Sequence, residues 1–330
     1  MNRILALSLT LVSISTQAQN SPFIMAVDEY VPAPGQFINT MPAFENGDDA
    51  ESMARKCTEL IANNAGLTVC LGAWGGYITF HFDHPLVNVA GHMDLYIKGN
   101  AHVGNAESGI VMVSQDVNDN GLPDDAWYEL SGSADIDSSN VVYGYELTYE
   151  MLGDSLDVAW KDNLGGEGYV TRNHFHEQEY FPTWLKSPLT FSGTRLPNNA
   201  HDTSGNGSYW VLDAYRYGYV DNFPNTDTLG CSFDLDWAVR PLTREAVYLS
   251  YVDFVRVYTA LNQTCGWIGE TSTEISGSID LHPDAELPSS IESISLPCNV
   301  RNTKFDIFGR SLSNNLSGFA VKDGKIILPR

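Results

Sequence analysis

Short runs in which apolar and polar residues alternate dominate the chain. In the clearest run, residues 77–82, apolar Ile78, Phe80 and Phe82 alternate with more polar neighbours. Comparable runs, rich in β-branched and aromatic residues, lie at 93–98, 110–114, 127–130, 141–149, 209–212, 248–252 and 254–258. A period of two is typical of strands with one buried face. Many short strands separated by Gly, Asn, Asp and Pro predict an all-β fold, most simply a jelly-roll-like β-sandwich.

Only one segment has the spacing of an amphipathic helix. Its apolar positions recur at helical intervals and are Ala50, Met53, Ala54, Cys57, Leu60 and Ile61. Asp48 is predicted to cap this helix, with Glu51 three residues later as in a capping box. Asn63, Asn64 and Gly66 are expected to end it. The sequence therefore predicts one short N-terminal helix ahead of the strands.

The two ends of the chain differ from the body. Arg3 precedes a mostly apolar run at 4–14, and Ala18 offers a cleavage point, which predicts a signal peptide at 1–18 that is too short to span a bilayer. Prolines and serines at 283–297 predict a linker between a β-sandwich ligand-binding domain at 19–282 and a small β tail at 298–330. A secreted or surface-displayed protein is the corresponding expectation, because no later apolar stretch can act as an anchor.

Oxygen-bearing side chains at every second position suggest a calcium loop. The candidate ligands are Asp116, Asn118, Asn120, Leu122 through its carbonyl, and Asp124. With Gly121 for the sharp turn, they match the first half of the D-x-[DN]-x-[DN]-G loop. Trp127 stands where that loop carries its bidentate Glu, so Asp124 is the closing carboxylate, with Asp125 or Glu129 in reserve. The alternative is a turn without an ion, because Asn and Asp favour turns. Strands on both sides predict a structural calcium clamp.

The composition and net charge of the chain limit the classes of partner that it can bind. The 330 residues are 43% hydrophobic, which is enough for a full core, and the formal net charge is −23. Such a charge argues against nucleic acid and anionic membranes as partners, since both need clustered Lys and Arg. The five scattered cysteines include no CxxC pair, so a zinc site is not expected. Cys57 and Cys70 are one candidate disulfide, and the odd count leaves at least one thiol over.

The tail resembles the C-terminal sorting domain of the type IX secretion system of Bacteroidetes. The resemblance rests on Asp-Ile-Phe-Gly-Arg at 306–310 and on the glycine-bounded apolar run at 318–328. It covers only about the last thirty residues. It implies export through the outer membrane, with secretion machinery as a partner. The alternative is a terminal hairpin that packs on the main domain.

The body resembles a family of Bacteroidetes cell-surface proteins of the β-sandwich type. The segments that carry this resemblance are 72–83, 99–101, the calcium-like loop into 127–130, 193–199, 218–222 and 265–275. Some proteins that look similar accompany outer-membrane systems for the capture of vitamin B12 (cobamide), and others accompany polysaccharide uptake. The resemblance implies a binding module, with a cobamide or a glycan as its ligand, and it does not choose between them.

Aromatic residues concentrate between Phe181 and Phe223, interleaved with amides and carboxylates. The ligand-binding candidates are Trp184, Arg195, Asn198, Asn199, Trp210, Tyr217, Tyr219, Asp221, Asn222 and Trp267. Flat rings beside polar groups suit a sugar ring or the face of a corrinoid. The alternative is that these rings are sandwich core. In a strand, Tyr215, Tyr217 and Tyr219 share one face, either packed or displayed.

Catalysis is the competing hypothesis. A polysaccharide hydrolase needs two carboxylates at a set separation, which a sequence does not reveal. His174 and His176 have a spacing that can hold a transition metal, but no third ligand can be assigned. The GxSxG elbow, the Walker A loop and the Rossmann fingerprint do not occur. A non-catalytic binding protein is therefore the main prediction, and a structural or adhesion module without a pocket is the third.

Overall fold

The computed structural model describes residues 19–152 and 157–287, and the backbone of four short strands between 304 and 327. The strands are β1 Ala26–Val31, β2 Val69–Cys70, β3 Tyr77–Val87, β4 Leu95–Lys98, β5 Gly109–Ser114, β6 Trp127–Leu130, β7 Val142–Met151, β8 Val158–Asp162, β9 Glu167–Val170, β10 Leu189–Arg195, β11 Ala200–Asp202, β12 Trp210–Leu212, β13 Ser232–Phe233, β14 Ala238–Val239, β15 Tyr251–Thr259, β16 Glu274–Ile275, β17 Gly277–Asp280, β18 Lys304–Phe305, β19 Ser311–Leu312, β20 Ala320–Lys322 and β21 Lys325–Ile327. The helices are α1 Ala50–Ile61 and α2 Ala134–Asp137, with short 3₁₀ turns at Ala62–Asn64, Leu235–Trp237 and Gly266–Ile268. The all-β prediction is confirmed.

A six-stranded antiparallel sheet in the order β1-β3-β15-β5-β6-β14 is the centre of the main unit. Alternation along its strands sends Ile78, Val111 and Val257 to one face, where they join a core shared with α1, β4 and β13. Their neighbours Ile110 and Tyr258 point to the opposite face and join a second cluster. Both faces of the sheet are therefore covered, as in a sandwich.

The second layer is the four-stranded sheet β10-β7-β8-β9. Its core holds the buried rings of Tyr145, Tyr149 and Phe191 around Trp74. Trp74 meets Tyr145 edge-on at 4.7 Å between ring centroids. Tyr77 of β3 packs against this core, so it joins the second layer to the central sheet.

Strand β15 corrects one expectation. The segments predicted as two strands, 248–252 and 254–258, form a single strand that begins at Tyr251. The register against β3 shifts between Val252 and Phe254, which marks a bulge at Asp253. The Asp253 carboxylate accepts the Asp116 N–H at 2.7 Å, so the bulge reaches the start of the predicted calcium loop.

Helix α1 begins one residue later than predicted. Asp49, not Asp48, is the N-cap, and it forms a capping box with Ser52. The Asp48 carboxylate instead accepts a hydrogen bond from Lys56 Nζ at 2.6 Å. The helix ends as expected, because Asn63 and Asn64 adopt positive φ angles just beyond it.

The predicted Cys57–Cys70 disulfide is wrong. Cys57, Cys70, Cys231 and Cys265 are all free and buried, and Cys298 lies outside the described residues. Cys70 Sγ lies 2.9 Å from Ser272 Oγ in a hydrogen-bonded pair. In the described part of the chain, the cysteines thus serve as small core residues.

The backbone divides into two compact units after Leu287. The second unit contains a four-stranded antiparallel sheet in the order β19-β18-β20-β21. The predicted signal peptide 1–18 and residues 288–297 of the predicted linker lie outside the described residues. Among the described residues, no helix has the length and apolar character needed to cross a bilayer.

Candidate functional site

An open cavity of about 720 Å³ lies where four connecting segments of the main unit meet. Its lining comes from the segments after β1, between β4 and β5, between β9 and β10, and after β15. Loops that a rigid sheet holds together are common places for binding sites. The cavity combines an aromatic rim with an acidic floor.

Two exposed rings form the rim. Trp267 is 55% exposed and Phe175 is 63% exposed, and their ring centroids lie 6.4 Å apart in an edge-on arrangement. Trp267 Nε1 donates to the Ser208 carbonyl at 3.3 Å, and Asn173 Nδ2 donates to the Trp267 carbonyl at 2.7 Å. These bonds fix the indole while its face stays accessible, as ring stacking on a ligand requires.

Buried carboxylates form the floor. Glu270 Oε1 accepts the Gln36 N–H at 2.6 Å, whereas its Oε2 is buried without a hydrogen-bond partner among the described residues. Glu274 Oε2 is buried and unpartnered in the same way. Half-buried Glu107 is the third carboxylate that lines the cavity, and its Oε1 accepts the Ser272 N–H at 3.2 Å. Buried polar atoms without partners are rare in proteins and call for an explanation.

Asp221 lies behind this floor and joins three segments. Its Oδ1 accepts the N–H groups of Asn100 and Ala101, both at 2.7 Å, and its Oδ2 accepts the Glu274 N–H at 3.0 Å. The residue adopts a left-handed backbone, with φ of 55°. Carboxylate oxygens of Glu107, Asp221 and Glu274 consequently lie within 4.8 Å of one another.

The floor resists full ionisation. Burial, reinforced by the charge of Asp221, raises the pKa of Glu107 to about 8. Burial also raises the pKa of Glu270 to about 7 and that of Asp221 to about 6. The pKa of Glu274 lies well above its usual value because of burial and the charges of Glu107 and Asp221. At neutral pH Glu107 therefore retains its proton and Glu270 retains it in part unless a cation neutralises them, whereas Asp221 is largely ionised.

The ten residues predicted to bind a ligand do not form one site. Trp267 lines the cavity, and Asp221 supports its floor. Trp184 instead packs on the main core, with its ring 5.7 Å from that of Tyr30 and 6.0 Å from that of Phe44. The predicted residues are separated in the fold because the chain between Phe181 and Phe223 passes through both the core and the surface.

Three more of the predicted residues hold the fold together. Tyr219 is 2% exposed and belongs to a core cluster. Buried Asn222 donates to the Tyr215 carbonyl at 2.7 Å. Arg195 lies over the Tyr145 ring, 4.7 Å from its centroid. The structure thus places them outside the cavity, because their polar groups or rings are used in packing.

The remaining predicted residues lie at or near the surface. Exposed Asn198 precedes Asn199, whose Nδ2 donates to the carbonyls of Ala106 and Asp213, both at 2.8 Å. Trp210 Nε1 donates to the Gly207 carbonyl at 3.3 Å. None of these three side chains lines the cavity.

Tyr217 lines a separate cavity of about 540 Å³. Its ring centroid lies 5.5 Å from that of Trp237, whereas Tyr215 pairs with Tyr219 at 5.0 Å. The prediction that these three tyrosines share a face is wrong, because residues 216–218 form bends and a strand period does not apply there. His176, one of the two histidines proposed for a metal, packs edge-on against Phe37.

The predicted calcium loop connects β5 and β6 and turns sharply at Gly121, which has φ of 71°. Asp116 Oδ1 and Asn118 Oδ1 both accept the Asn120 N–H at 3.1 Å. The Asp124 carboxylate accepts hydrogen bonds from the side-chain amides of Asn118 at 3.2 Å and Asn120 at 3.1 Å. Leu122 contributes its carbonyl to a bond from the Asp124 N–H at 2.9 Å. The donor set is entirely oxygen once the amides rotate, which fits a hard cation such as calcium.

A second loop has the same pattern and was missed by the sequence reasoning. Asp202, Ser204, Asn206 and Gly207 repeat the spacing of the first loop. The Gly207 N–H donates to Asp202 Oδ2 at 2.6 Å, as the Gly121 N–H does to Asp116 Oδ2 at 2.7 Å. The ninth position of this loop is occupied by a tryptophan, and its carboxylate, Asp213, stands at the twelfth position instead. The turn geometry is therefore common to both loops, and they differ in where a carboxylate follows the turn: at the ninth position in the first loop and at the twelfth in the second.

No protein-family model matches this chain, and no curated protein is significantly similar to it.

Proposed function

We propose that this protein is a secreted or surface-displayed binding protein that holds a small polar ligand, a cobamide or a glycan, in the 720 Å³ cavity. The observation that carries the proposal is the pairing of exposed rings at the rim with unpartnered carboxylate oxygens at the floor. The signal-like start and the sorting-like tail of the sequence support export, and the outer-membrane machinery for secretion or uptake is the corresponding partner.

The rim and the floor suit different parts of such a ligand. Trp267 and Phe175 offer apolar faces for a sugar ring or a corrinoid. A floor that mixes protonated and ionised carboxyl groups can donate to and accept from hydroxyls or amides. A cobamide carries amide groups around its ring and a glycan carries hydroxyls, so both satisfy these requirements. The acidic floor disfavours an anionic ligand.

Calorimetric titration tests this proposal. We expect saturable binding of cyanocobalamin, or of one member of a panel of soluble glycans, to the mature protein in calcium buffer. Trp267→Ala and Phe175→Ala should each weaken that binding roughly tenfold, or about 1.4 kcal/mol. Tyr248→Ala is the matched control, because Tyr248 is 73% exposed and lies outside the cavity lining. Equal affinity in all three variants would place the ligand elsewhere. If no ligand on the panel binds, a structural surface module is favoured instead.

Hydrolysis of a polysaccharide is the second candidate. The observation in its favour is the raised pKa of Glu107, about 8, because a general acid must be protonated at neutral pH. Carboxylate oxygens within 4.8 Å of one another suit the roughly 5–5.5 Å carboxyl separation of a retaining glycosidase better than the wider separation of an inverting one. New reducing ends after incubation with the glycan panel, lost in Glu107→Gln, would establish the enzyme.

We further propose that the loop from Asp116 to Asp124 binds a structural calcium ion. Support comes from the convergence of four oxygen-bearing side chains around one turn. The ion would join β5 to β6 and, through Asp253, to β15. Its expected effect is to stabilise the hairpin of β5 and β6 against thermal unfolding.

A further inference from the structure

A second cation site is indicated at the floor of the cavity, away from the calcium loop. Oxygens of Glu107, Asp221 and Glu274 lie within 4.8 Å of one another. A Ca²⁺ ion binds oxygen at about 2.4 Å, so two oxygens on opposite sides of it lie about 4.8 Å apart. Mg²⁺, with oxygens at about 2.0–2.1 Å, draws its ligands closer together. Oxygens that all lie within 4.8 Å of one another can therefore contact one hard cation of either size.

The charges at this floor have no cationic side chain to balance them. Within residues 19–152 and 157–287, no Lys, Arg or His forms an ion pair with Glu107, Asp221, Glu270 or Glu274. Neighbouring buried carboxylates can all remain ionised only if a cation compensates their charge, and otherwise at least one of them holds a proton. A cation or a shared proton must therefore compensate the cluster.

Two unpartnered oxygens point to the cation. Glu274 is 5% exposed and Glu270 is 7% exposed, and the Oε2 atom of each lacks a hydrogen-bond partner. Glu274 belongs to the carboxylate cluster, and Glu270 lines the cavity beside it. Asn100 and Asn105 line the same space and can add amide oxygens. Carboxylate and amide oxygens together form the donor set of a hard cation.

The backbone keeps the cluster in place without the ion. The amides of Asn100, Ala101 and Glu274 hold both oxygens of Asp221. Gly99 allows this approach, because a Cβ at that position would lie 2.3 Å from Asp221 Oδ1. The ligands are thus ordered beforehand, which lowers the entropic cost of binding.

We propose that Glu107, Asp221 and Glu274 bind a divalent hard cation, calcium first, at the floor of the cavity. Its exposed side faces the cavity, where water or a ligand oxygen completes the coordination. This inference goes beyond the proposed binding of a cobamide or glycan, and it stands or fails independently, because the metal is titrated alone.

The test is calorimetric titration of calcium into chelator-treated protein in an Asp116→Asn background, which disables the loop. We expect one remaining calcium per chain, with affinity weakened roughly tenfold or more by a further Glu274→Gln change. Glu274→Gln keeps the side-chain volume and removes a buried charge. Asp94→Asn is the matched control, because it alters a buried carboxylate outside the cavity lining and should leave the affinity unchanged.

Should the Asp116→Asn chain fail to fold, the stoichiometry of the otherwise unmodified protein replaces it. Two calcium ions per chain, reduced to one by Glu274→Gln, would support the site. A background that binds no calcium, or a stoichiometry that Glu274→Gln leaves unchanged, would overturn it. In that outcome a shared proton compensates the carboxylates.

Discussion

At the scale of single residues, Glu129 shows how the fold accommodates a buried charge. It is 1% exposed in β6, and it accepts hydrogen bonds from Thr194 Oγ1 and the Tyr258 hydroxyl, both at 2.9 Å. The Arg244 guanidinium pairs with both Glu129 and Asp135. Removal of Arg244 leaves the Glu129 charge buried and unpaired. We expect Arg244→Met to lower the free energy of unfolding by about 3–5 kcal/mol, measured by urea denaturation.

Two further variants distinguish the loss of the Arg244–Glu129 ion pair from the general effect of removing an arginine. Adding Glu129→Gln to Arg244→Met should recover part of the loss, because the uncompensated charge is gone. Arg216→Met is the matched control. Arg216 pairs with Asp137 at the surface, with side chains 62% and 47% exposed, so its loss should cost less than about 1 kcal/mol. Equal losses in the two single variants would contradict the assignment of a buried ion pair.

At the scale of elements, the hairpin of β5 and β6 carries the proposed structural calcium. Asp116→Asn removes a ligand charge at the start of the loop. We expect a lower melting temperature than in the unmodified protein when calcium is present, and nearly equal values in EDTA. At calcium concentrations about 100-fold above the dissociation constant, the ion contributes about 2.7 kcal/mol to stability.

The second loop supplies the control for that measurement. Asp202→Asn makes the same chemical change in the same type of turn, but in a loop whose ninth position carries no carboxylate and whose Asp213 lies 3.2 Å from His201 Nδ1. Its effect on melting should therefore be equal with and without calcium. Identical melting of the unmodified protein in calcium and in EDTA would remove the calcium proposal for the loop from Asp116 to Asp124.

Across the whole molecule, the local pattern of apolar and polar residues predicts where strands lie but not where one strand ends and the next begins. The alternation at 77–82 and the apolar runs that became β5 and β6 identify those strands correctly. The sequence indicates two strands that meet at Asp253, where the structure has a bulge within one strand, because a local pattern cannot distinguish a bulge from the end of a strand. Either of the neighbouring acids Asp48 and Asp49 could cap the helix. Asp48 instead accepts a hydrogen bond from Lys56, which leaves Asp49 as the cap.

The candidate site was less accessible to sequence reasoning, since its parts come together only on folding. Trp267 was predicted from its polar, glycine-flanked loop, and Asp221 was named for a different reason, as part of a rim. Glu107 carried no local signal at all. It joins Asp221 and Glu274 through connecting segments, because its N–H donates to the Asp221 carbonyl at 3.0 Å and the Glu274 N–H donates to Asp221 Oδ2 at 3.0 Å. Aromatic density between 181 and 223 misled the prediction, because rings such as Trp184 serve the core.

Stability against pH offers a final test of how the main unit is held together, at Asp94. Its carboxylate accepts the N–H groups of Val89 at 2.8 Å and Leu235 at 2.9 Å, and its carbonyl accepts the Leu281 N–H at 2.9 Å. Burial raises its pKa to about 6, against about 3.9 in an unfolded chain. Because the folded state holds the proton more tightly, this contribution is complete below about pH 3.9 and is lost as the pH rises through about 6. Urea denaturation should show the unmodified protein losing on the order of 2 kcal/mol more than Asp94→Asn between pH 4 and pH 7. Parallel pH profiles for the two proteins would mean that Asp94 is ionised throughout, with its two amide donors outweighing the cost of burial.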